Sequence, residues 1–278
     1  MTTMQHFGGS WTVEKLNVLS NYLNAYVTAL KSQPFDLIYI DAFAGTGKVQ
    51  IKGEELLEID GSAKIALDAK ENFSKYCFIE KNDQYIEELN ILKSQYPEKG
   101  ERIFIYQADC NEQLKCICNE TDWSKHRALL FLDPFSTEVK WGTLKNVAET
   151  HAIDVWYLFP LSAALRLMKK KGNIPDSWKI KLNEIFGDDS WESALYRENI
   201  EMNLFEEDSS LIRYEGTDAL KKYIIKRLET VFAKVSSKSR ILYGKTNNPL
   251  FLFCFAVSNN SPAAQNLAFR IADYILEK

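Results

Sequence analysis

Between residues 11 and 30 the apolar side chains Leu16, Leu19, Leu23, Tyr26, Val27 and Leu30 recur at steps of three and four. That period puts them on one face of an amphipathic helix, with Ser10 or Thr12 available as its N-cap. Pro34 stops the helix, and Phe35-Asp-Leu-Ile-Tyr-Ile40 follows as a short, largely apolar run rich in strand formers. Such a run is the pattern of a strand covered on both faces. The alternation then repeats. Strand-like runs fall at 76–79, 102–106, 128–132 and 154–159, with helix-like stretches at about 62–70, 83–95, 111–119 and 141–150. Strands separated by helices predict βαβ units and a parallel sheet wound on both faces.

After Pro160 the regularity fails. Residues 161–237 read mainly as helix, interrupted by Gly172, Pro175 and Gly187-Asp188-Asp189, with no central strand before Ser239. Two strands, 240–243 and 250–257, are then joined by Gly-Lys-Thr-Asn-Asn-Pro, which is turn chemistry too short for a helical crossover. An antiparallel hairpin is therefore expected to close the sheet, covered by a last helix at about 262–276. The expected architecture is one α/β domain over 1–278: a doubly wound, Rossmann-like, mostly parallel sheet with a C-terminal antiparallel hairpin and a helical insertion or cap at about 161–237.

Composition narrows the class. A chain of 278 residues that is 46% hydrophobic buries a substantial core. Its first residues lack a basic-then-apolar leader pattern, and no run approaches the roughly eighteen apolar residues that cross a bilayer. A cytoplasmic protein without a membrane partner is expected. Cys77, Cys110, Cys116, Cys118 and Cys254 are scattered, and the histidines are only His6, His126 and His151. Reduced thiols and no metal site follow. A net charge of −4 argues against holding nucleic acid by phosphate attraction alone, yet the acidic surplus lies in the first 150 residues. Lys169-Lys170-Lys171 and Lys221-Lys222 with Lys226-Arg227 read either as solvated helix faces or as a phosphate-tracking surface.

In an open doubly wound sheet, ligands bind beyond the carboxyl ends of the strands, near the point where strand order reverses. After the first strand comes Asp41-Ala42-Phe43-Ala44-Gly45-Thr46-Gly47, whose glycines let the backbone turn sharply and approach a ligand. A cofactor loop and an ordinary strand-to-helix turn both account for it. A P-loop is disfavoured, because Gly47-Lys48 is followed by Val49 and preceded at the required spacing by Ala42. A dinucleotide fingerprint is the weaker fit too, since its third small residue would fall at Gln50.

After the second strand Glu80 is placed to accept both hydroxyl protons of a ribose, or to favour the start of the next helix. After the third, Asp109 is placed to accept from an adenine amino group while Cys110 supplies a backbone donor; a helix cap is the alternative. After the fourth comes Asp133-Pro134-Phe135. There Asp133 and the Pro134 carbonyl can accept the two protons of an amino group while Phe135 stacks on an attached ring. A strand ended by proline, with its aromatic in the core, is the structural alternative. Together these strand ends narrow the ligand to an adenosyl cofactor, S-adenosyl-L-methionine.

The chain resembles the three-Cys-motif partner proteins (TcmP), a bacterial and phage-associated group regarded as methyltransferase-like. The resemblance runs over Phe7-Gly-Gly-Ser-Trp-Thr12, Ile38-Tyr-Ile-Asp-Ala-Phe-Ala-Gly-Thr-Gly47, Gly61-Ser-Ala63, Phe78-Ile-Glu80, Phe131-Leu-Asp-Pro-Phe135 and Tyr157-Leu-Phe-Pro160. It implies a Rossmann-like cofactor fold, in which the last strand inserts beside the fifth, and association with a radical-enzyme-like protein that carries the three cysteines. Asp133-Pro134-Phe135 is also similar to the Asp/Asn-Pro-Pro-Tyr/Phe motif of methyltransferases acting on nucleobase amino groups, with one proline where that motif has two. Residues 48–60 delay the next helix to Ser62 and are expected to form a lid or hairpin, with the 8–12 segment over the same pocket.

Three functions stay open on the sequence. The preferred one is methyl transfer to an amino nitrogen, with a nucleobase as one acceptor. The second is a partner-binding protein that keeps the cofactor without turnover. The third is a metal-dependent nucleotide-processing component of a defence system, with Asp41, Asp109 and Asp133 around a divalent cation.

Overall fold

The computed structural model describes residues 10–51, 57–198, 211–213 and 216–277. The first helix, α1 (Ser10–Leu30), is followed by strand β1 (Asp36–Asp41). Ser10 and Thr12 both lie inside α1, so neither is its N-cap. The delayed-helix segment is a hairpin, β2 (Lys48–Ile51) with β3 (Leu57–Asp60), before α2 (Ser62–Leu67) starts where expected; 52–56 lie outside the described residues. Then come β4 (Lys75–Glu80), α3 (Asp83–Ser94), a 3-10 turn (Pro97–Arg102), β5 (Ile103–Gln107), α4 (Cys110–Glu120), β6 (His126–Leu132), α5 (Trp141–Glu149) and β7 (Ile153–Phe159).

Beyond β7 the chain is mainly helical: α6 (Leu161–Leu167), α7 (Asp176–Phe186), α8 (Ser190–Leu195) and α9 (Thr217–Glu229). As expected, no central strand of the main sheet falls between β7 and Ser239 among the described residues, but three short peripheral strands do. A small hairpin, β8 (Tyr196–Glu198) with β9 (Leu211–Arg213), precedes α9, and β10 (Lys234–Val235) pairs antiparallel with the last strand. Strands of two or three residues are too short to show a period-2 alternation. The expected hairpin follows as β11 (Arg240–Tyr243) and β12 (Pro249–Val257), and α10 (Pro262–Leu276) ends the fold.

The main sheet runs β10-β12-β7-β6-β1-β4-β5, with β11 also paired to β12. The five strands β5, β4, β1, β6 and β7 are parallel, and β12 is antiparallel to β7. This is a doubly wound, Rossmann-like plan, mostly parallel with a C-terminal antiparallel hairpin. Strand order reverses at β1, whose two neighbours are β4 and β6, so a crevice opens at the carboxyl ends of β1 and β6.

Alternation along each buried strand feeds two cores. Ile38 and Ile40 pack on one face with Leu130, Leu144, Val155 and Leu182. Leu37 and Tyr39 pack on the other beneath α1 and α10, where Tyr22 meets Trp156 (5.3 Å between ring centroids) and Phe255 (5.0 Å). The basic clusters after β7 are partly absorbed into the fold. Lys169 lies over the Trp178 ring, Lys221 donates to the Ser239 carbonyl, and Arg227 donates to the Phe186 carbonyl and Asp188. Those three side chains are structural contacts before they are a phosphate surface.

Candidate active site

The register brings the two motifs of interest side by side. Asp41 pairs with Phe131, so Asp133 stands two residues beyond it on the adjoining strand end. The loop after β1 is stitched to both neighbours: Ala42 N donates to the Phe131 carbonyl (3.1 Å) and Ala44 N to the Ile79 carbonyl (3.1 Å). Gly45 and Gly47 hold φ of 59° and 74°, a region that costs other residues roughly 1–2 kcal/mol. Gly61 N closes the neck of the β2–β3 hairpin on the Gly47 carbonyl at 2.8 Å.

A cavity of about 220 Å³ opens over this loop. Phe43, Ala44, Gly45 and Gly47 line one side, Asp133, Pro134 and Phe135 another, and Trp11, Thr12 and Lys15 of α1 cross it. Trp11 and Thr12 line the pocket, as expected of the 8–12 segment; residues 8 and 9 lie outside the described ones. Phe135 is half exposed, at 51%, on the rim rather than in the core.

Lys15, Leu250 and Phe251 are lining residues that sequence reasoning missed. Lys15 Nζ donates to Asp133 Oδ2 and sits 4.9 Å from the Trp11 ring centroid, while Trp11 packs on Phe251 at 5.1 Å. The lysine side chain is 9% exposed and that of Asp133 20%, so the pair is largely withdrawn from water. Thr12, 1% exposed, lines the same cavity with a hydroxyl that has no hydrogen-bond partner among the described residues. A buried hydroxyl left unsatisfied costs about 1–3 kcal/mol, which a polar ligand group would remove.

The other expected cofactor residues stand behind or beside this cavity. Asp41 is fully buried, accepting from Phe43 N (3.3 Å), the Tyr39 hydroxyl (3.3 Å) and Ser62. Ala42 is buried behind the loop as well. Glu80 receives Gly45 N (3.0 Å) on one oxygen and Lys81 N (2.8 Å) and Asn82 N (2.9 Å) on the other. A carboxylate offers about four acceptor positions. Accepting both ribose hydroxyls would therefore require Glu80 to release one of these amides. Asp109 caps α4, accepting from Asn111 N at 2.9 Å and Asn111 Nδ2 at 3.0 Å. Burial works to raise its pKa, but those hydrogen bonds hold it below the ordinary carboxylate value. Cys110 is the first residue of α4, its thiol pushed up to about 12 by burial and by Asp109.

Among the described residues no group of three His, Cys, Asp or Glu is placed to share a metal ion, so Asp41, Asp109 and Asp133 do not form the cation cluster of the third reading. All five cysteines are unpaired. No helix among the described residues is long and apolar enough to cross a membrane.

Burial drives the Asp41 carboxyl up to about 7, against the pull of the Ser62 and Phe43 hydrogen bonds and with a smaller push from Asp133. The folded protein thus holds this proton more tightly than the unfolded chain. Its contribution to stability is full below about pH 4, declines as the pH rises towards about 7, and is flat above that. Thermal melts between pH 4 and 8 should show this decline, and Asp41→Asn should make it shallower, leaving the share of Asp154, whose carboxyl burial also raises to about 7; an unchanged slope in the variant would assign the titration elsewhere.

Neither a protein-family model nor a curated protein sequence matches the chain. Solved structures do. Protein LPL1258 from Legionella pneumophila, of the family model DUF519, is 11% identical with a TM-score of 0.53, over 97% of this chain and 92% of its own. Magnesium protoporphyrin IX methyltransferase from Synechocystis PCC 6803, solved with bound SAH, is 11% identical with a TM-score of 0.41, over 88% of this chain and 84% of its own. The methyltransferase domain of bacterial CtHen1 is 12% identical with a TM-score of 0.38, over 86% and 99%. The first likeness establishes the shared fold.

Proposed function

We propose that the protein transfers a methyl group from S-adenosylmethionine to an amino nitrogen, with a nucleobase as the favoured acceptor. One observation carries this reading: the strand-order switch puts the glycine loop and Asp133-Pro134-Phe135 on one cavity, beyond the carboxyl ends of β1 and β6. When bound, S-adenosylmethionine supplies an activated methyl carbon, so the protein's task is alignment more than acid-base chemistry. At about 220 Å³ the cavity suits the methyl-donating end of that molecule and part of an acceptor, while the adenosine end would extend over Glu80, Asp109 and Cys110.

In this reading Asp133 and the Pro134 carbonyl accept the amino protons and hold the nitrogen lone pair towards the cavity. Lys15 engages Oδ2 of Asp133, which leaves Oδ1 for the acceptor. Lys15 is thus a positioning residue. Trp11, Phe43 and Phe251 exclude water, and Phe135 on the rim offers a face to a planar ring.

Isothermal titration is expected to show S-adenosylmethionine and its demethylated product binding. Methyl label should pass to a nucleic-acid pool, and Asp133→Ala should abolish labelling while leaving cofactor affinity within about threefold, under 1 kcal/mol. Protein that binds neither compound would overturn the proposal. The likeness to TcmP adds a radical-enzyme-like partner, and the helical region after β7 is the surface proposed for it. Cofactor binding with no labelled product, with or without that partner, would favour the non-catalytic reading.

A further inference from the structure

A second cavity, of about 370 Å³, lies between α1 and α10, over the amino ends of β6 and β7 and therefore at the opposite end of the strands from the candidate active site. Its walls are mostly apolar, from Leu30 on α1 and Ala263, Ala264, Leu267 and Ile271 on α10. Two charged side chains interrupt them. Leu129 pairs with Asp154 across the β6–β7 ladder, and Arg127 lies two residues before Leu129, so Arg127 and Asp154 share one face of neighbouring strands.

Neither charge is fully used by the protein. Asp154 Oδ2 accepts from the Tyr22 hydroxyl at 3.3 Å, while Oδ1 has no donor among the described residues. Arg127 donates from Nη1 to the carbonyls of Trp123 (2.8 Å) and His126 (2.6 Å), and its guanidinium stacks on Phe35 at 3.8 Å. Its Nε and Nη2 have no acceptor among the described residues, and the two side chains form no direct ion pair. The cavity thus presents an open carboxylate oxygen beside open guanidinium N–H groups, next to an apolar wall.

Both side chains are half-buried, neighbouring and opposite in charge, so a ligand that carries both signs matches the open atoms of each. A lone cation leaves the guanidinium unanswered, a lone anion leaves the carboxylate, and a hydrocarbon chain leaves both. We propose that this cavity binds a free apolar α-amino acid, its ammonium on Asp154, its carboxylate on Arg127 and its side chain along Ala263, Ala264 and Leu267. The volume is within the range of small-molecule sites.

Titration of the full chain with L-leucine and L-phenylalanine tests this, alongside L-leucinamide, which lacks the carboxylate, and N-acetyl-L-leucine, which lacks the ammonium. The free acids are expected to bind, with each blocked compound about tenfold weaker or worse. In Arg127→Gln the difference between leucine and leucinamide should disappear, and Ala264→Trp, which fills the cavity, should remove binding. Blocked and free leucine binding equally, no heat with millimolar leucine or phenylalanine, or undiminished binding to a folded Ala264→Trp protein would each overturn the proposal. The blocked-ligand comparison uses the unmodified chain, so it decides the matter even where a variant fails to fold.

Discussion

Replacing Lys15 with methionine is expected to destabilise the protein by about 2–3 kcal/mol and to abolish methyl labelling. The stability loss follows from what remains behind. Asp133 has a side chain only 20% exposed, and without Lys15 its carboxylate loses the cation it is paired with. Breaking a fully buried pair costs about 3–5 kcal/mol, and the residual exposure of Asp133 moves the figure below that range. For a chain of this size the loss should lower the melting temperature by about 5–10 °C. The Lys15→Met/Asp133→Leu double variant separates stability from chemistry, since replacing both charges by apolar groups removes the desolvation penalty along with the attraction. It should melt near the wild-type temperature and remain inactive. A Lys15→Met protein as stable and as active as the original would sink the positioning role given to this lysine.

That pair also marks where sequence reasoning ends. Lys15 and Asp133 are 118 residues apart, and although Lys15 lies four residues before Leu19, at the border of the apolar face of α1, no local pattern pairs it with Asp133. Only the packing of α1 across the carboxyl ends of β1 and β6 brings the two together. The inner strands were legible because they are buried on both faces and read as largely apolar runs, from the 36–41 strand to the 153–159 strand. Their ends were legible for the same reason: Asp41, Glu80 and Asp133 interrupt those runs where the sheet stops. What each acid does there was less legible. Glu80 and Asp109 are both engaged by backbone amides of the following turn or helix, and a helix cap and a ligand acceptor call for the same residue at the same place. The region after β7 hid its strands because they are two or three residues long and are ordered by contacts such as Arg213 with the Met168 carbonyl.

The neck of the β2–β3 hairpin supplies the other large effect. Gly61→Val should weaken S-adenosylmethionine binding about a hundredfold while costing only about 1–3 kcal/mol of stability. Gly61 has an ordinary φ of −79°, so the substitution is not a matter of backbone strain. It is a matter of space. A Cβ at this position would lie 2.8 Å from the Gly47 carbonyl carbon, 3.0 Å from its oxygen and 3.1 Å from Lys48 N, all backbone atoms that cannot rotate away. Relief requires the Gly61 N to Gly47 carbonyl hydrogen bond to lengthen and Gly47 to move. Movement there is not free either, because the α-carbon of Gly47 is backed by Leu92, whose Cδ2 lies 2.7 Å from where a Cβ would stand. The loop that lines the cavity through Phe43, Ala44, Gly45 and Gly47 is therefore displaced as a unit, and a misplacement of about 1 Å is enough for a hundredfold loss. Gly100→Ala is the matched control, since nothing lies within 4 Å of its added carbon. Titration of both variants with S-adenosylmethionine decides the point: equal affinities for Gly61→Val, Gly100→Ala and the unmodified protein would mean that the neck does not hold the loop in its binding shape.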